Sequence, residues 1–156
     1  MRSRAYRCRL VVLLVLGASA CRNLDVVTES YATLEEARKS GAIDRGWVPD
    51  GLPPGTTDLR EAHDLDSNRQ WGLFMFPQSE GDTLRQLLHP EELSLTGQTV
   101  DIPGRVEWWP VLLRGSLDDE KIKSTGLRAY PSVRGDRLFL VNWQQGRAYY
   151  WSIRGA

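Results

Sequence analysis

The chain has 156 residues, a length that fits one domain with a single core. Its 20 basic and 20 acidic residues balance, but Arg2, Arg4, Arg7 and Arg9 precede the first apolar run, so the chain beyond residue 20 keeps 16 basic and 20 acidic side chains. Proteins that bind nucleic acid carry a clustered basic surface, and this mildly acidic composition therefore excludes nucleic acid as an expected partner.

The first twenty residues have the three parts of a secretory signal peptide. A basic stretch (1–9) precedes the apolar run Leu10–Leu16, and small residues follow (17–20). Seven aliphatic residues are too few for a permanent transmembrane helix, which needs about 20. We therefore predict that residues 1–20 are a cleavable export signal.

Two interpretations of the cleavage site remain open. Ala18-Ser19-Ala20 is an A-x-A site, which would release a free periplasmic protein. Together with Cys21, these residues also resemble the bacterial lipobox, in which the cysteine is acylated, although Ala18 stands where that family usually has Leu. Because Cys8 leaves with the signal, Cys21 has no cysteine partner for a disulfide, and we favour its lipidation and a firm membrane anchor.

The residues after Cys21 suggest a location and a domain boundary. Arg22, rather than Asp, follows the cysteine, and in a Gram-negative cell the lipoprotein resemblance then implies the periplasmic face of the outer membrane. Residues 21–30 show no strong periodicity and are expected to form a lipid-bearing tether. The globular domain is expected over residues 31–156.

The first half of this domain contains signals for a helix and a hairpin. Thr33-Leu34-Glu35-Glu36 is a capping box that predicts a short helix closed by Gly41. After the turn-rich stretch 46–55, the segments Thr56–His63 and Arg69–Phe76 read as a hairpin whose second strand is buried on both sides.

The second half is predicted to be richer in strands. A helix is expected over Asp82–His89, before Pro90, and strands over Gln98–Ile102 and Arg105–Leu113. Residues 116–126 fit one helical turn or a charged loop equally well. The segments 137–143 and 147–153 predict an antiparallel hairpin. Together these elements predict one α+β domain, with an antiparallel sheet of about six strands and two short helices.

The most suggestive polar cluster comprises His63, Asp64, Asp66 and Asn68. The Asp and Asn residues mimic the first half of a calcium-binding EF-hand loop, but Arg69 and Met75 stand where that loop needs Gly and Glu. Asx residues at a hairpin tip explain the same pattern by local hydrogen bonds. We therefore expect a turn and no metal here, and the two histidines of the chain, His63 and His89, are too few for a zinc site.

The sequence contains no recognisable catalytic motif. It lacks a G-x-S-x-G elbow, a phosphate-binding loop and a dinucleotide fingerprint. We expect no catalytic residues, no cofactor and no enzymatic activity.

Aromatic residues are concentrated in the predicted strands, with Trp108, Trp109, Tyr150 and Trp151 as the candidate binding surface. In a strand, adjacent side chains point to opposite faces, so some of these rings would be exposed and available to a partner or a sugar. Core packing under covering helices is the simpler interpretation.

The chain resembles a group of small bacterial lipoproteins without an assigned function. The resemblance rests on Tyr31–Gly41, Gly46-Trp47-Val48-Pro49, Leu52-Pro53-Pro54 and His63–Asn68, and it covers about residues 31–76. It implies an envelope location. We expect a lipid-anchored protein whose domain binds an envelope protein or a cell-wall glycan without catalysis. The alternative is a small-ligand-binding protein or hydrolase that uses the region from His63 to Asp66.

Overall fold

The structure is a computed structural model and describes residues 26–153. Eight strands are present in this range: β1 (Val26–Thr33), β2 (Thr57–Asp64), β3 (Gln70–Met75), β4 (Thr99–Val100), β5 (Gly115–Ser116), β6 (Arg128–Pro131), β7 (Arg137–Asn142) and β8 (Arg147–Ser152). The helices are α1 (Leu34–Lys39), α2 (Gly81–Arg85) and α3 (Asp119–Ser124), with 3₁₀ turns at Gln78–Glu80 and Val111–Leu113. The predicted signal peptide and Cys21 lie outside the described residues.

Six strands form one antiparallel sheet in the order β1-β2-β3-β8-β7-β6, and β4 pairs with β5 in a separate ribbon. This confirms the predicted α+β class and six-stranded sheet. Both predicted hairpins, β2–β3 and β7–β8, are present and lie near the middle of the sheet, joined through β3 and β8. The described residues contain three short helices where the sequence suggested two.

The sheet is buried on both faces, and we call these face A and face B. Face A is covered by the long segment 93–127, which contributes apolar side chains such as Leu95, Val106 and Ile122. Face B is covered by α1, the turn-rich segment 42–55 and the region around α2. Adjacent residues of β8 alternate between the two clusters, as the pleat of a strand requires: Tyr149 and Trp151 pack on face A, whereas Ala148 and Tyr150 pack on face B.

The predicted tether is wrong over residues 26–30, because these residues belong to the strand β1. The strand β1 pairs with β2 from Val26 opposite Asp64 to Thr33 opposite Thr57. Thr28, Glu29 and Ser30 are exposed at this edge, so the segment lacks the apolar alternation that marks a half-buried strand.

The predicted capping box is present with one changed partner. Thr33 Oγ1 accepts a hydrogen bond from the Glu36 amide at 3.3 Å, as expected. The Glu36 carboxylate, however, accepts from the Ala32 amide at 2.8 Å instead of the Thr33 amide. Gly41 ends the turn with φ +80°, a conformation that favours glycine.

The strand predicted over Arg105–Leu113 is wrong. Its backbone forms tight turns instead, in which the Val106 amide donates to the Pro103 carbonyl at 3.1 Å and the Leu113 amide donates to the Pro110 carbonyl at 3.0 Å. Proline fixes its own φ and lacks an amide donor, so each proline starts a turn here. The apolar side chains of this segment therefore fill the core on face A without forming a ladder.

Other predicted elements are shorter than expected. The helix α2 ends at Arg85, and the following residues to Leu88 form single turns. The strand predicted over Gln98–Ile102 is reduced to the two residues of β4. The open alternative at 116–126 is resolved in favour of a helix, because the Asp118 side chain accepts from the Lys121 amide at 3.1 Å and caps α3.

Candidate functional site

The predicted polar cluster at 63–68 is a hairpin tip, as its local hydrogen bonds show. Asp64 Oδ1 accepts from the Asp66 amide at 3.0 Å and from the Ser67 amide at 3.1 Å. Asn68 has φ +56°, a left-handed conformation that Asn tolerates better than most residues. The expected Asx turn is therefore present, and it uses the oxygen atoms that a metal would need.

The charge of Asp64 is stabilised locally. Burial raises the pKa of Asp64, but hydrogen bonds from the backbone and side chain of Ser67, the Asp66 amide and Arg69 outweigh it and leave the pKa below its usual value. The guanidinium of Arg69 lies 3.5 Å from Asp64 Oδ2. Asp64 is therefore a structural anion at the base of the turn.

The four residues of the predicted polar cluster do not converge on one site. His63 is buried on face B, whereas Asp64 lies at a cavity near the edge of face A, and Asp66 and Asn68 are exposed at the tip. Alternation along β2 sends neighbouring side chains to opposite faces of the sheet, which explains the separation of His63 from Asp64.

A cleft lies on face A, between the sheet and the segment 98–104. It consists of two cavities of about 280 and 450 Å³ that share Arg69 and Asp101. The Arg69 guanidinium lies 3.1 Å from Asp101 and 5.4 Å from the centre of the Trp71 ring. The ion pair between Arg69 and Asp101 packs over the Trp71 ring and lies between the two cavities.

The lining of the smaller cavity combines an apolar floor with neutral polar groups. The floor contains Trp71, Leu138 and Trp151, and the rim includes the side chains of Gln98 and Thr99. Such a lining offers hydrogen-bond donors and acceptors around an apolar surface. The cleft could not be recognised from the sequence, because its walls come from four segments that are far apart along the chain, around residues 70, 98, 138 and 152.

A second polar group, formed by Glu61 and His63, is buried on face B. The sequence had indicated His63 as a candidate but not Glu61. His63 Nδ1 lies 2.9 Å from Glu61 Oε2, and the two side chains are 3% and 0% exposed. The ring of Trp47 stacks on the His63 ring at 3.7 Å between centroids, and the guanidinium of Arg45 lies 4.6 Å from the Trp47 ring. Glu61 and His63 are two residues apart on β2, and this spacing places both side chains on the same face of the strand. The spacing could have indicated the pair from the sequence alone.

Burial controls the protonation of Glu61. Its other oxygen, Oε1, has no hydrogen-bond partner, and burial raises the pKa of the carboxyl although His63 acts in the opposite direction. Burial also raises the pKa of Tyr150, whose hydroxyl donates to the Trp47 carbonyl at 3.0 Å. The pair could exchange a proton, but the Trp47 ring covers the imidazole and leaves no open approach for a substrate.

The four rings of the predicted aromatic binding surface do not form one exposed surface. Trp109, Tyr150 and Trp151 are buried, and Trp108 is partly buried against the same cluster as Trp109. Trp109 Nε1 donates to the Leu113 carbonyl at 2.8 Å, which satisfies its polar atom inside the core. Because both faces of the sheet are covered, alternation along β8 does not expose Tyr150 or Trp151. Trp151 still lines the floor of the cleft.

Within residues 26–153, no group of three or more His, Cys, Asp and Glu side chains has a geometry that could hold a metal ion. In the same range, no helix is both long enough and apolar enough to cross a membrane. Cys21, the predicted lipid attachment site, precedes the described residues.

Comparison with known proteins gives one partial likeness. Residues 25–75 match the model of a protein family described as the YbbD head domain. The matched segment starts one residue before β1 and ends with the last residue of β3, so it includes α1 and the group formed by Trp47, Glu61 and His63. No curated protein and no solved structure matches the chain.

Proposed function

We propose that the chain is a bacterial envelope lipoprotein, anchored through Cys21, whose domain binds an envelope protein or a cell-wall glycan without catalysing a reaction. The cleft on face A is the observation that carries the binding part of this proposal. The expected location is the periplasmic face of the outer membrane.

The sequence around Cys21 supports the anchored part of the proposal. The basic stretch, the apolar run and the small residues before Cys21 have the order of an export signal, and this cysteine has no disulfide partner once the signal is removed. The first strand begins at Val26, five residue steps after the lipid-bearing position. Even fully extended, five steps along the chain span only about 17 Å. The domain is therefore expected to stay close to the lipid surface.

The chemistry of the cleft supports binding. The side chains of Gln98, Thr99 and Ser152 supply amide and hydroxyl groups, and the ion pair between Arg69 and Asp101 stands between the two cavities. These groups suit the hydroxyls of a sugar or the amides of a peptide, which exchange hydrogen bonds without needing a net charge. The larger cavity is open to solvent between the tip of the β2–β3 hairpin and residues 101–104.

The alternative, a hydrolase or small-ligand site that uses the region from His63 to Asp66, has weaker support. The imidazole of His63 stacks against Trp47 on face B, whereas Asp66 is exposed at the hairpin tip. A general base must reach a reacting atom within hydrogen-bond distance, and these two residues share no cavity among those described. Replacement of His63 and Asp66 by Ala, with no loss of function in cells, would remove this alternative.

Site-specific photocrosslinking in living cells tests the binding proposal. A photoreactive amino acid at Gln98, on the rim of the cleft, should give a discrete adduct with one envelope protein or with peptidoglycan. The peptidoglycan adduct is detected by isolating peptidoglycan from the cells after crosslinking. The same group at Lys39, which is exposed at the end of α1 on face B, is the matched control and should give none. Equal labelling from the two positions, or no adduct from Gln98, would contradict binding in the cleft.

Cell fractionation tests the anchor separately. The Cys21→Ser variant should be lost from the membrane fraction, whereas the wild-type chain should remain there. A Cys21→Ser protein that still fractionates with membranes would contradict anchoring through this residue.

A further inference from the structure

Exposed apolar side chains gather at one end of the sheet. Among the described residues, the large apolar side chains that are most exposed are Leu65 (61%), Val111 (85%), Val133 (59%) and Ile153 (47%). Leu65 lies in the turn between β2 and β3, Val133 lies in the turn between β6 and β7, and Ile153 directly follows β8. In an antiparallel sheet, these three positions belong to the same end.

Hydrogen bonds show that these positions form a continuous row. Val26 pairs with Asp64, at the base of the tip that carries Leu65. Across the next strands, the Gln70 amide donates to Ser152 Oγ at 3.0 Å. The Ile153 amide then donates to the Asp136 carbonyl at 3.0 Å, in the turn that contains Val133.

The chain leaves the fold toward Cys21 at this same end. Val26 is the first residue of β1, and it is paired with the end of β2 beside Leu65. The four residues between Cys21 and Val26 hold this end within about 17 Å of an acylated cysteine. The opposite end of the sheet, where Pro110 and Leu112 line a cavity with Asn142 and Arg147, is held farther away by the length of the strands.

We propose that this end of the sheet is a membrane-contact surface, in which Leu65, Val133 and Ile153 insert into the headgroup region of the bilayer that holds the lipid anchor. This inference rests on the proposed lipidation of Cys21. A single exposed apolar residue needs no explanation, but three at the end that carries the anchor form a surface that suits a lipid boundary.

The charges at this end indicate that the contact is apolar. The basic side chains of Arg69, Arg134 and Arg137 are accompanied by those of Asp64, Asp66 and Asp136. Arg69 pairs with Asp64, and Arg137 Nη1 lies 2.8 Å from Asp136 Oδ2. Because these charges balance, a strong attraction to anionic lipids is not expected. A short tether keeps the surface at a high effective concentration near the bilayer, so a weak apolar contact suffices to orient the domain.

The contact fixes the direction in which the cleft opens. Arg69, Ser152 and Ile153 line the smaller cavity, and Val26 and Asp64 line the larger one. The cleft therefore opens beside the membrane-contact surface, and its ligand would be met close to the lipid headgroups.

Depth-dependent fluorescence quenching tests this inference on the full lipidated protein. Acylated Cys21 has no free thiol, so a cysteine introduced by Leu65→Cys, Val133→Cys or Val111→Cys can be labelled alone with an environment-sensitive dye. The labelled proteins are reconstituted into phosphatidylcholine vesicles that contain a lipid with a nitroxide on its headgroup. We expect quenching at positions 65 and 133 to be several-fold stronger than at position 111, which is the matched control because it is exposed and apolar but lies at the other end.

The outcomes separate this inference from the proposed function. A protein that carries the acyl mass and floats with the vesicles, but is quenched equally at all three positions, overturns the membrane-contact surface and leaves the anchor standing. A protein without acyl mass that does not float overturns both.

In a second set of variants, the dye is attached away from positions 65 and 133, so that the side chains at these two positions can be varied. With the dye at Ile153→Cys, the double substitution Leu65→Asp and Val133→Asp should reduce quenching at least several-fold, whereas Val111→Asp should leave it unchanged. An unchanged signal in the double variant overturns the proposed contact. Thermal unfolding of each variant, monitored by circular dichroism, confirms that the compared proteins are folded.

Discussion

Gly72 on β3 lies directly against the ring of Tyr150 on β8, and the two residues are paired across the strands. A Cβ atom at position 72 would lie 2.0 Å from Tyr150 Cζ, well inside any van der Waals contact. The absent side chain at Gly72 is therefore what lets the Tyr150 ring extend over β3 toward Trp47, whose carbonyl accepts the hydrogen bond from the Tyr150 hydroxyl.

Gly72→Ala is expected to destabilise the domain by about 3 kcal/mol, because overpacking a well-filled core forces side chains and backbone to move. Urea unfolding measures the change. Gly81→Ala is the matched control: Gly81 is helical with φ −56°, and a Cβ there would be 3.7 Å from its nearest neighbour, Trp143. The control should alter stability by less than about 1 kcal/mol, in the stabilising direction. Similar losses in both variants would contradict the packing described here.

Trp109→Ala is expected to reduce the free energy of unfolding by about 3 to 5 kcal/mol, because the ring is buried and contacts Tyr149 and Trp151 edge to face. Trp108→Ala should cause less than half of that loss, since this ring is only partly buried. Chemical denaturation of both variants provides the comparison. If both proteins kept wild-type stability, the aromatic residues would be a surface and not a core.

Glu61→Gln is expected to make the protein more stable than wild type as the pH rises. The pKa of Glu61 is raised in the folded state, so the folded protein binds this proton more tightly than the unfolded chain. The resulting stabilisation is complete below the pKa of the unfolded carboxyl and is lost as the pH rises through the folded pKa. Within that window the wild type should lose up to about 1.4 kcal/mol per pH unit relative to the variant.

Unfolding free energies measured from pH 4 upward would show this divergence for Glu61→Gln. The control variant Glu107→Gln removes an exposed carboxylate and should run parallel to the wild type. Parallel curves for Glu61→Gln as well would mean that the buried carboxyl titrates no differently in the folded and unfolded states.

Asp64→Ala is expected to cost about 1 to 2 kcal/mol, because it removes an ionised acceptor from the Asp66 and Ser67 amides. The pKa of Asp64 is lowered, so its contribution is present above the pKa of the unfolded carboxyl and disappears as the pH falls through the folded pKa. Asp66→Ala, at the exposed tip, should have an effect near zero. Stability measured at neutral pH and at pH 3 tests both points, and an equal cost at the two pH values would argue against an ionised turn anchor.

The elements that sequence reasoning predicted well are those whose residues alternate or cap locally. The hairpins β2–β3 and β7–β8 carry apolar and aromatic side chains toward both faces, and Thr33 caps α1 through a neighbour three residues away. The strand β1 escaped prediction because it is an edge strand with exposed residues in its middle, so pairing with β2 determines its conformation more than its own pattern does.

The site was harder to predict than the sheet, because it depends on distant contacts. The turn at Asp64 could be read from neighbouring residues, whereas the ion pair between Arg69 and Asp101 joins positions 32 apart in the chain. The aromatic surface was misjudged because alternation gives the face to which a ring points but not whether another segment covers that face. Here the prolines at 103 and 110 fold the segment 93–127 back over the sheet.

The intact mass of the protein, purified in detergent from its native host, shows directly whether Cys21 carries a lipid. For a lipid-anchored protein, we expect a chain that begins at Cys21 and carries the added mass of two or three fatty acyl chains. A chain that begins at Cys21 without acyl mass, or one that still begins at Met1, would contradict this expectation.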